Sequence, residues 1–263
     1  MIFLCRASRS NGRWLWPILT SLIFTLPAGA QEPVASSPLS ADEVIERVVE
    51  MNNTRARALD AYSSLRTYHL ECHCLSHKKA DMVVRIDFKS PDKKVFMIVS
   101  ESGSGTVRDR VFKKLLEAEQ ESMRQENQRL SAITPENYQF QLSEYEKSAT
   151  DEYYVLDARP QSNNKFLFRG RIWVDAKDFA IIRVEGEPAV NPSWWTEKTD
   201  FQRHYRKIGD FWLPESNESK TKVRVFGTAV LTIDYRDYQI TRVGGTTVAS
   251  SQQRKLSAQS STD

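Results

Sequence analysis

The sequence predicts a mainly β domain of the α+β class: a strongly curved antiparallel sheet, or unclosed β-barrel, covered by helices. Three observations predict it. About ten short segments alternate apolar and polar residues, the period of strands with one buried face. Only two segments carry helical periodicity, too few for the alternating strands and helices of a parallel sheet. The connections between strand segments are short turns, as in meanders that curl on themselves.

The two ends read as lying outside that domain. Arg6, Arg9 and Arg13 precede an apolar run from Trp14 to Leu26, then Pro27 and the small triplet Ala28, Gly29 and Ala30. A basic region, a short apolar region and an A-x-A site spell a cleavable signal peptide over 1–30, cut after Ala30. The run is shorter than the roughly 20 residues a spanning helix needs. Residues 31–39, with two prolines, read as a linker; 40–248 as one domain; 249–263 as a disordered polar tail.

The first helix starts at Ser40, which can cap, with Glu43 three residues on and Val44, Ile45, Val48 and Val49 at helical spacing. It is expected to end near Tyr62. From Tyr68 the period becomes two. Within 81–89, Met82, Val84, Ile86 and Phe88 alternate with Val83, Arg85, Asp87 and Lys89, and a turn at Ser90-Pro91 leads to a strand over 95–100. Gly103, Ser104 and Gly105 read as a flexible turn rather than a phosphate cradle. A second helix is expected over 109–130, its Phe112, Leu115 and Leu116 on one side of a highly charged segment. Beyond Pro135 strands return, with Tyr138, Phe140 and Leu142 in one phase and Phe166, Phe168, Ile172 and Val174 in another. Later strands are expected over 180–185, 199–207, 211–214, 220–226 and 230–238, with hairpin connections at 175–178 and 208–210.

The charge balance excludes some partners. The chain has 37 basic and 34 acidic residues. Its leader carries three of the arginines and no acid, so loss of the leader leaves 34 of each sign. No net positive field favours nucleic acid or an anionic membrane, and no stable membrane insertion is expected.

Catalytic motifs are absent: no G-x-S-x-G elbow, no GxxxxGK[ST], no H-E-x-x-H. Nothing selects a carboxylate pair, so the chain reads as non-enzymatic and without a cofactor. His69, Cys72, His73 and Cys74 are weak candidates for a metal, together with the nearby His77. On a strand the histidines fall on the face opposite the cysteines, so one ion could not take them all without a bend. A disulfide between Cys72 and Cys74 is an open alternative, strained on an extended strand. Trp194 and Trp195 start in a loop and stand as a possible partner contact.

One run of motifs carries a resemblance. Gly170 to Asp175 (GRIWVD), Ile182 to Pro188 (IRVEGEP), Gly209 to Pro214 (GDFWLP), Phe226-Gly227 and Leu231 to Tyr238 (LTIDYRDY) follow in order, with weaker support from Asn137 to Phe140 and from Leu115 to Glu119. This run resembles the bacterial outer-membrane lipoprotein-sorting proteins of the LolA/LolB-like superfamily. The resemblance implies an unclosed barrel under a helical lid, enclosing an apolar cavity that carries acyl chains of lipoproteins or lipids in a Gram-negative periplasm. It also implies transient contact with membrane-bound loading and receiving proteins, and a buried arginine that latches the lid; Arg169 and Arg183 lie on strands in the matching region. Cavity residues expected from alternation are Met82, Val84, Ile86, Phe88, Tyr138, Phe140, Leu142, Phe166, Phe168, Ile172, Val174, Leu231 and Ile233. The alternatives are a sensor or interaction protein on the same fold, and a metal or thiol protein.

Overall fold

Ser40 starts the first helix, α1 (Ala41–Ala58), through a reciprocal capping box. Its hydroxyl accepts from the Glu43 N–H at 3.3 Å while the Glu43 carboxylate accepts from the Ser40 N–H at 2.8 Å. The computed structural model describes residues 38–74, 77–191, 196–224 and 227–249, excluding the side chain of Cys74. The chain divides into two units, Met1–Ser37 and Pro38–Asp263, and the description concerns the second. The leader, the polar tail beyond 249, and Trp194 and Trp195 lie outside the described residues.

α1 is shorter than its sequence suggests. Leu59 is already extended and opens β1 (Leu59–Cys74), so the strand begins nine residues before the predicted change of period. Pairing decides this: Ala61, Tyr62 and Ser63 each pair with a strand on both sides. After β2 (Lys78–Lys89) and β3 (Lys93–Gly103), the predicted single helix is a broken one. It comprises α2 (Gly105–Val107), a π-helical turn (Arg108–Phe112), α3 (Lys113–Ser122) and α4 (Gln125–Ser131). The break falls at Met123–Arg124, where Asn127 reaches back and donates to the Glu121 carbonyl at 2.8 Å, satisfying a helix-end acceptor.

The remaining strands are β4 (Tyr138–Lys147), β5 (Glu152–Pro160), β6 (Phe168–Asp175), β7 (Ile181–Pro188), β8 (Thr196–Ile208), β9 (Phe211–Val223), β10 (Gly227–Arg242) and β11 (Thr247–Ala249). β9 is continuous where two short strands were expected. Its polar middle pairs with β8 and β10, so the ladder holds it without apolar alternation. β5 has no sequence alternation because consecutive Tyr154, Val155 and Leu156 are all buried.

All pairings are antiparallel in one sheet of order β3-β2-β1-β10-β9-β8-β7-β6-β5-β4, with β11 beside β10. β3 and β4 are its edges, so the sheet is an open half and not a closed barrel. Cross-strand Gly170 and Gly186 let β6 and β7 approach closely: a Cβ at Gly170 would stand 1.9 Å from the Glu185 carbonyl oxygen.

Two cores form. Phe112 and Val107 pack with Tyr68, Met82, Val84 and Ile86 over β1 and β2. Val44, Ile45 and Val48 of α1 pack with Tyr138, Leu156, Ile172 and Val174 over β4 to β6. Burying each such side chain is worth about 1.5–3 kcal/mol before entropy is counted.

Candidate functional site: a lidded cavity on the inner face

Register places a run of residues on one face. Arg66 pairs with Tyr235 and Val84; Ile233 pairs with Asn217, Asn217 with Arg203, and Arg203 with Val184. Residues opposite one another share a face, and so do residues two apart on a strand. This face therefore carries two arginines among its aromatic and aliphatic side chains.

Arg66 is 5% exposed. Its Nη1 donates to Glu119 Oε2 of α3 at 2.6 Å, and its Cζ lies 4.8 Å above the Tyr235 ring. Lys94 of β3 binds the other oxygen, Nζ to Oε1 at 2.5 Å. Burial opposes ionisation of Glu119, but the Arg66 and Lys94 charges outweigh it and hold the carboxyl below its ordinary value. Burial also opposes the Arg66 charge, and Glu119 outweighs that in turn. Tyr235, buried beside them, is pushed up to about 12. One carboxylate thus ties α3 to two strands.

A second, solvent-exposed ion pair meets α3 where Lys165, in the β5–β6 connection, reaches Glu121 at 2.9 Å, a weaker contact than the buried one at Glu119. Beside Lys165 lies a cavity of about 410 Å³ whose walls include Tyr138, Phe166, Phe168, Val184, Phe201 and Tyr205, with Ser122 at the end of α3, Ser131 at the end of α4 and Ile133 just beyond it. The aromatics pack on one another: Tyr138 and Phe168 centroids are 5.3 Å apart, and Phe168 meets Phe201 edge-on at 5.7 Å. The buried Tyr138 hydroxyl accepts from the Phe168 N–H at 3.3 Å. Ile133 and Tyr205 also wall a neighbouring cavity of about 340 Å³, which extends to Val49 and Asn52 of α1 and to Trp212. Both volumes fall in the range of small-molecule sites, roughly 300–1,000 Å³.

Of the residues expected to face a cavity, Tyr138, Phe166 and Phe168 line it. Met82, Val84, Ile86 and Ile233, with Leu231 against them, belong to the core that Phe112, Leu115 and Leu116 close. Ile172 and Val174, with Phe140 and Leu142 against them, pack under α1. Phe88 stacks on Tyr62 at 5.0 Å. The segment expected as lid therefore divides: its first part plugs one core, and α3 and α4 roof the cavity.

Neither Arg169 nor Arg183 is a latch. Arg169 is exposed and pairs with Glu187, while Arg183 pairs with Glu185 and sits 4.5 Å over the Trp173 ring. The residues that sequence reading missed are Arg66, Lys94, Glu119 and Arg203. A charge in phase with a buried register is the signal for two of them: Arg66 with Tyr68 and Leu70, Arg203 with Phe201 and Tyr205.

In the histidine–cysteine stretch, His69 Nδ1 lies 2.6 Å from Asp81 Oδ1, and the His73 and His77 rings meet edge-on at 5.7 Å. Cys72 is disulfide-bonded, so it offers no thiolate. Among the described residues, no three His, Cys, Asp or Glu side chains are grouped to hold a metal ion.

An open antiparallel sheet whose inner face is roofed by helices over a cavity of mixed aromatic and polar lining defines the class. No family model matches the chain, and no curated protein does. Solved structures are similar to it. A LolA superfamily protein from Nitrosomonas europaea is 14% identical, covering 76% of this chain and 93% of that one, with a TM-score of 0.36. An outer membrane lipoprotein-sorting protein domain from Vibrio parahaemolyticus is 11% identical, covering 76% and 93%, with a TM-score of 0.40. The MucA/MucB complex of Pseudomonas aeruginosa is 10% identical, covering 74% and 92%, with a TM-score of 0.25.

Proposed function

We propose that the chain is a periplasmic, non-enzymatic carrier that shields the acyl chains of lipoproteins or lipids for sorting towards the outer membrane. The observation that carries this reading is the aromatic-walled cavity roofed by α3 and α4, a roof joined to the sheet by the buried Glu119 pair. A buried chain contributes about 0.8 kcal/mol per CH₂, so non-covalent capture is sufficient. Release needs only the roof to lift, and ion pairs can break without loss of the core beneath Phe112. In this reading the basic and apolar leader over 1–30 exports the chain to the periplasm, and loading and unloading occur by transient contact with membrane-bound proteins. No described helix is long and apolar enough to cross a membrane.

The test is uptake of a fluorescent acyl probe by the full chain exported to the periplasm and purified without detergent. Uptake that falls after Phe166→Asp while the fold survives supports the carrier; a wild-type protein that takes up no probe removes it.

A second reading, an interaction protein on the same fold, is favoured by the edge strand β3, where Val95, Met97 and Val99 are exposed. A partner recovered by wild type but lost with Met97→Lys, while probe uptake is absent, would favour it.

A further inference from the structure

We infer that the cargo carries an anionic headgroup, a carboxylate or phosphate next to its acyl chain, and that Arg203 holds it inside the cavity. The inference rests on the carrier reading and names the chemistry of its ligand. Arg203 lines the cavity of about 410 Å³ from the middle of β8. Its Nε is buried without a hydrogen-bond partner, and its Nη1 makes one long contact, 3.5 Å to the Tyr205 hydroxyl. A guanidinium has five donors in a rigid fork that fits a planar carboxylate or a phosphate.

The surrounding charge points the same way. Among the described residues lining the cavity there are two cations, Lys165 and Arg203, and no carboxylate. Lys165 sits at the rim, paired with Glu121. The nearest buried acid, Glu119, is already shared between Arg66 and Lys94. Of Arg66, Lys94 and Arg203, the first two share Glu119 and Arg203 has no ion-pair partner among the described residues. Arg206, further along β8, also leaves Nε and Nη2 buried without a partner but lies over the Tyr238 ring, away from the residues lining this cavity. A buried unpaired charge is costly, and an anion delivered with the acyl chain removes that cost at the moment of binding. A neutral amphiphile would fill the apolar space and leave Arg203 as it is. Tyr205, beside Arg203 and on the wall of both cavities, sets the headgroup where the two spaces meet.

The experiment is calorimetric titration of the full-length protein, purified without detergent, with three probes of one chain length: laurate, dodecyl phosphate and dodecanol. Laurate or dodecyl phosphate is expected to bind at least about tenfold more tightly than dodecanol, the scale of one charge-assisted hydrogen bond. Arg203→Gln brings that anion level with dodecanol, and Arg203→Lys restores part of the difference. A preference for laurate assigns a fatty-acid-like head, and a preference for dodecyl phosphate a phospholipid-like one. Equal affinity of the wild-type protein for all three overturns the inference and leaves the acyl cavity standing. Binding of none of the three overturns the carrier reading as well. The headgroup series on wild-type protein needs no variant, so it decides the matter even where Arg203→Gln does not fold.

Discussion

Arg66 of β1 and Glu119 of α3 stand 2.6 Å apart, one on the floor of the fold and the other on its roof. Lys94 completes the triad from the edge strand β3, so a single carboxylate joins the helical roof to two strands at once. Arg66 is almost wholly buried while Glu119 keeps some contact with solvent, which makes the carboxylate the accessible side of the joint.

Removing Glu119 therefore does more than delete a contact. Glu119→Ala leaves Arg66 and Lys94 buried and unpaired, and breaking a buried ion pair from one side costs about 3 kcal/mol or more. Urea denaturation is expected to show that loss, and stopped-flow dissociation of a bound acyl probe is expected to quicken. A midpoint unchanged from wild type would mean that the pair contributes nothing to holding the roof.

The same carboxylate sets a direction in pH. Glu119 titrates below its ordinary value when folded, because Arg66 and Lys94 outweigh the opposing effect of burial. A depressed folded value gives stability that is present above the unfolded value, about 4.3, and is lost as pH falls through the lower folded one. Wild type should exceed Glu119→Gln in stability at pH 6, and the gap should close in acid below pH ~4. A gap that is constant from pH 6 to pH 3 would contradict the assignment.

Phe166 separates uptake from folding because it lines the cavity while remaining half-buried, unlike the core residues Ile172 and Leu156. Phe166→Asp is expected to reduce acyl-probe uptake at least about tenfold, since a carboxylate in an apolar wall must be desolvated by the ligand. Its cost in thermal unfolding should stay below that of Ile172→Ala, which empties a fully buried site at about 2–5 kcal/mol. Parallel losses in both measurements would make Phe166 an ordinary core residue.

Gly170 is a local test of the sheet's geometry. A methyl group there would meet the Glu185 carbonyl oxygen at 1.9 Å, and backbone cannot give way cheaply. Gly170→Ala should destabilise by about 1–3 kcal/mol, the usual scale of overpacking. Circular dichroism melts would register it; a neutral result would mean that β6 and β7 are further apart than the glycine pair allows.

The sequence made much of this fold legible, and the exceptions have physical causes. Ser40 and Glu43 announced the start of α1 because a capping box is a local device that tertiary contacts rarely overrule. The end of α1 was hidden because Leu59 to Ser63 have no breaker, and only pairing with β2 and β10 makes them a strand. β5 was invisible because burial on both faces erases the period of two that a strand otherwise shows. Most of the residues expected along the cavity pack elsewhere, since alternation reports which face is inward but not whether a helix fills the space above it. Phe112 fills it over Met82 and Val84; over Phe166 and Phe168 the roof stands off. Arg66 and Arg203 were missed for a related reason: a charge in an inward phase looks like an error of register until its partner, or its lack of one, is known.

The most direct test of the central claim is native mass spectrometry of the full chain, expressed with its leader, recovered from the periplasm and purified without detergent. A one-to-one complex with an acyl-bearing molecule that is released on denaturation, or one-to-one uptake of added laurate by protein recovered empty, is the predicted result. Protein of apo mass that takes up none of the added acyl probe would contradict the account, because the cavity beneath α3 and α4 would then have no acyl chain to carry.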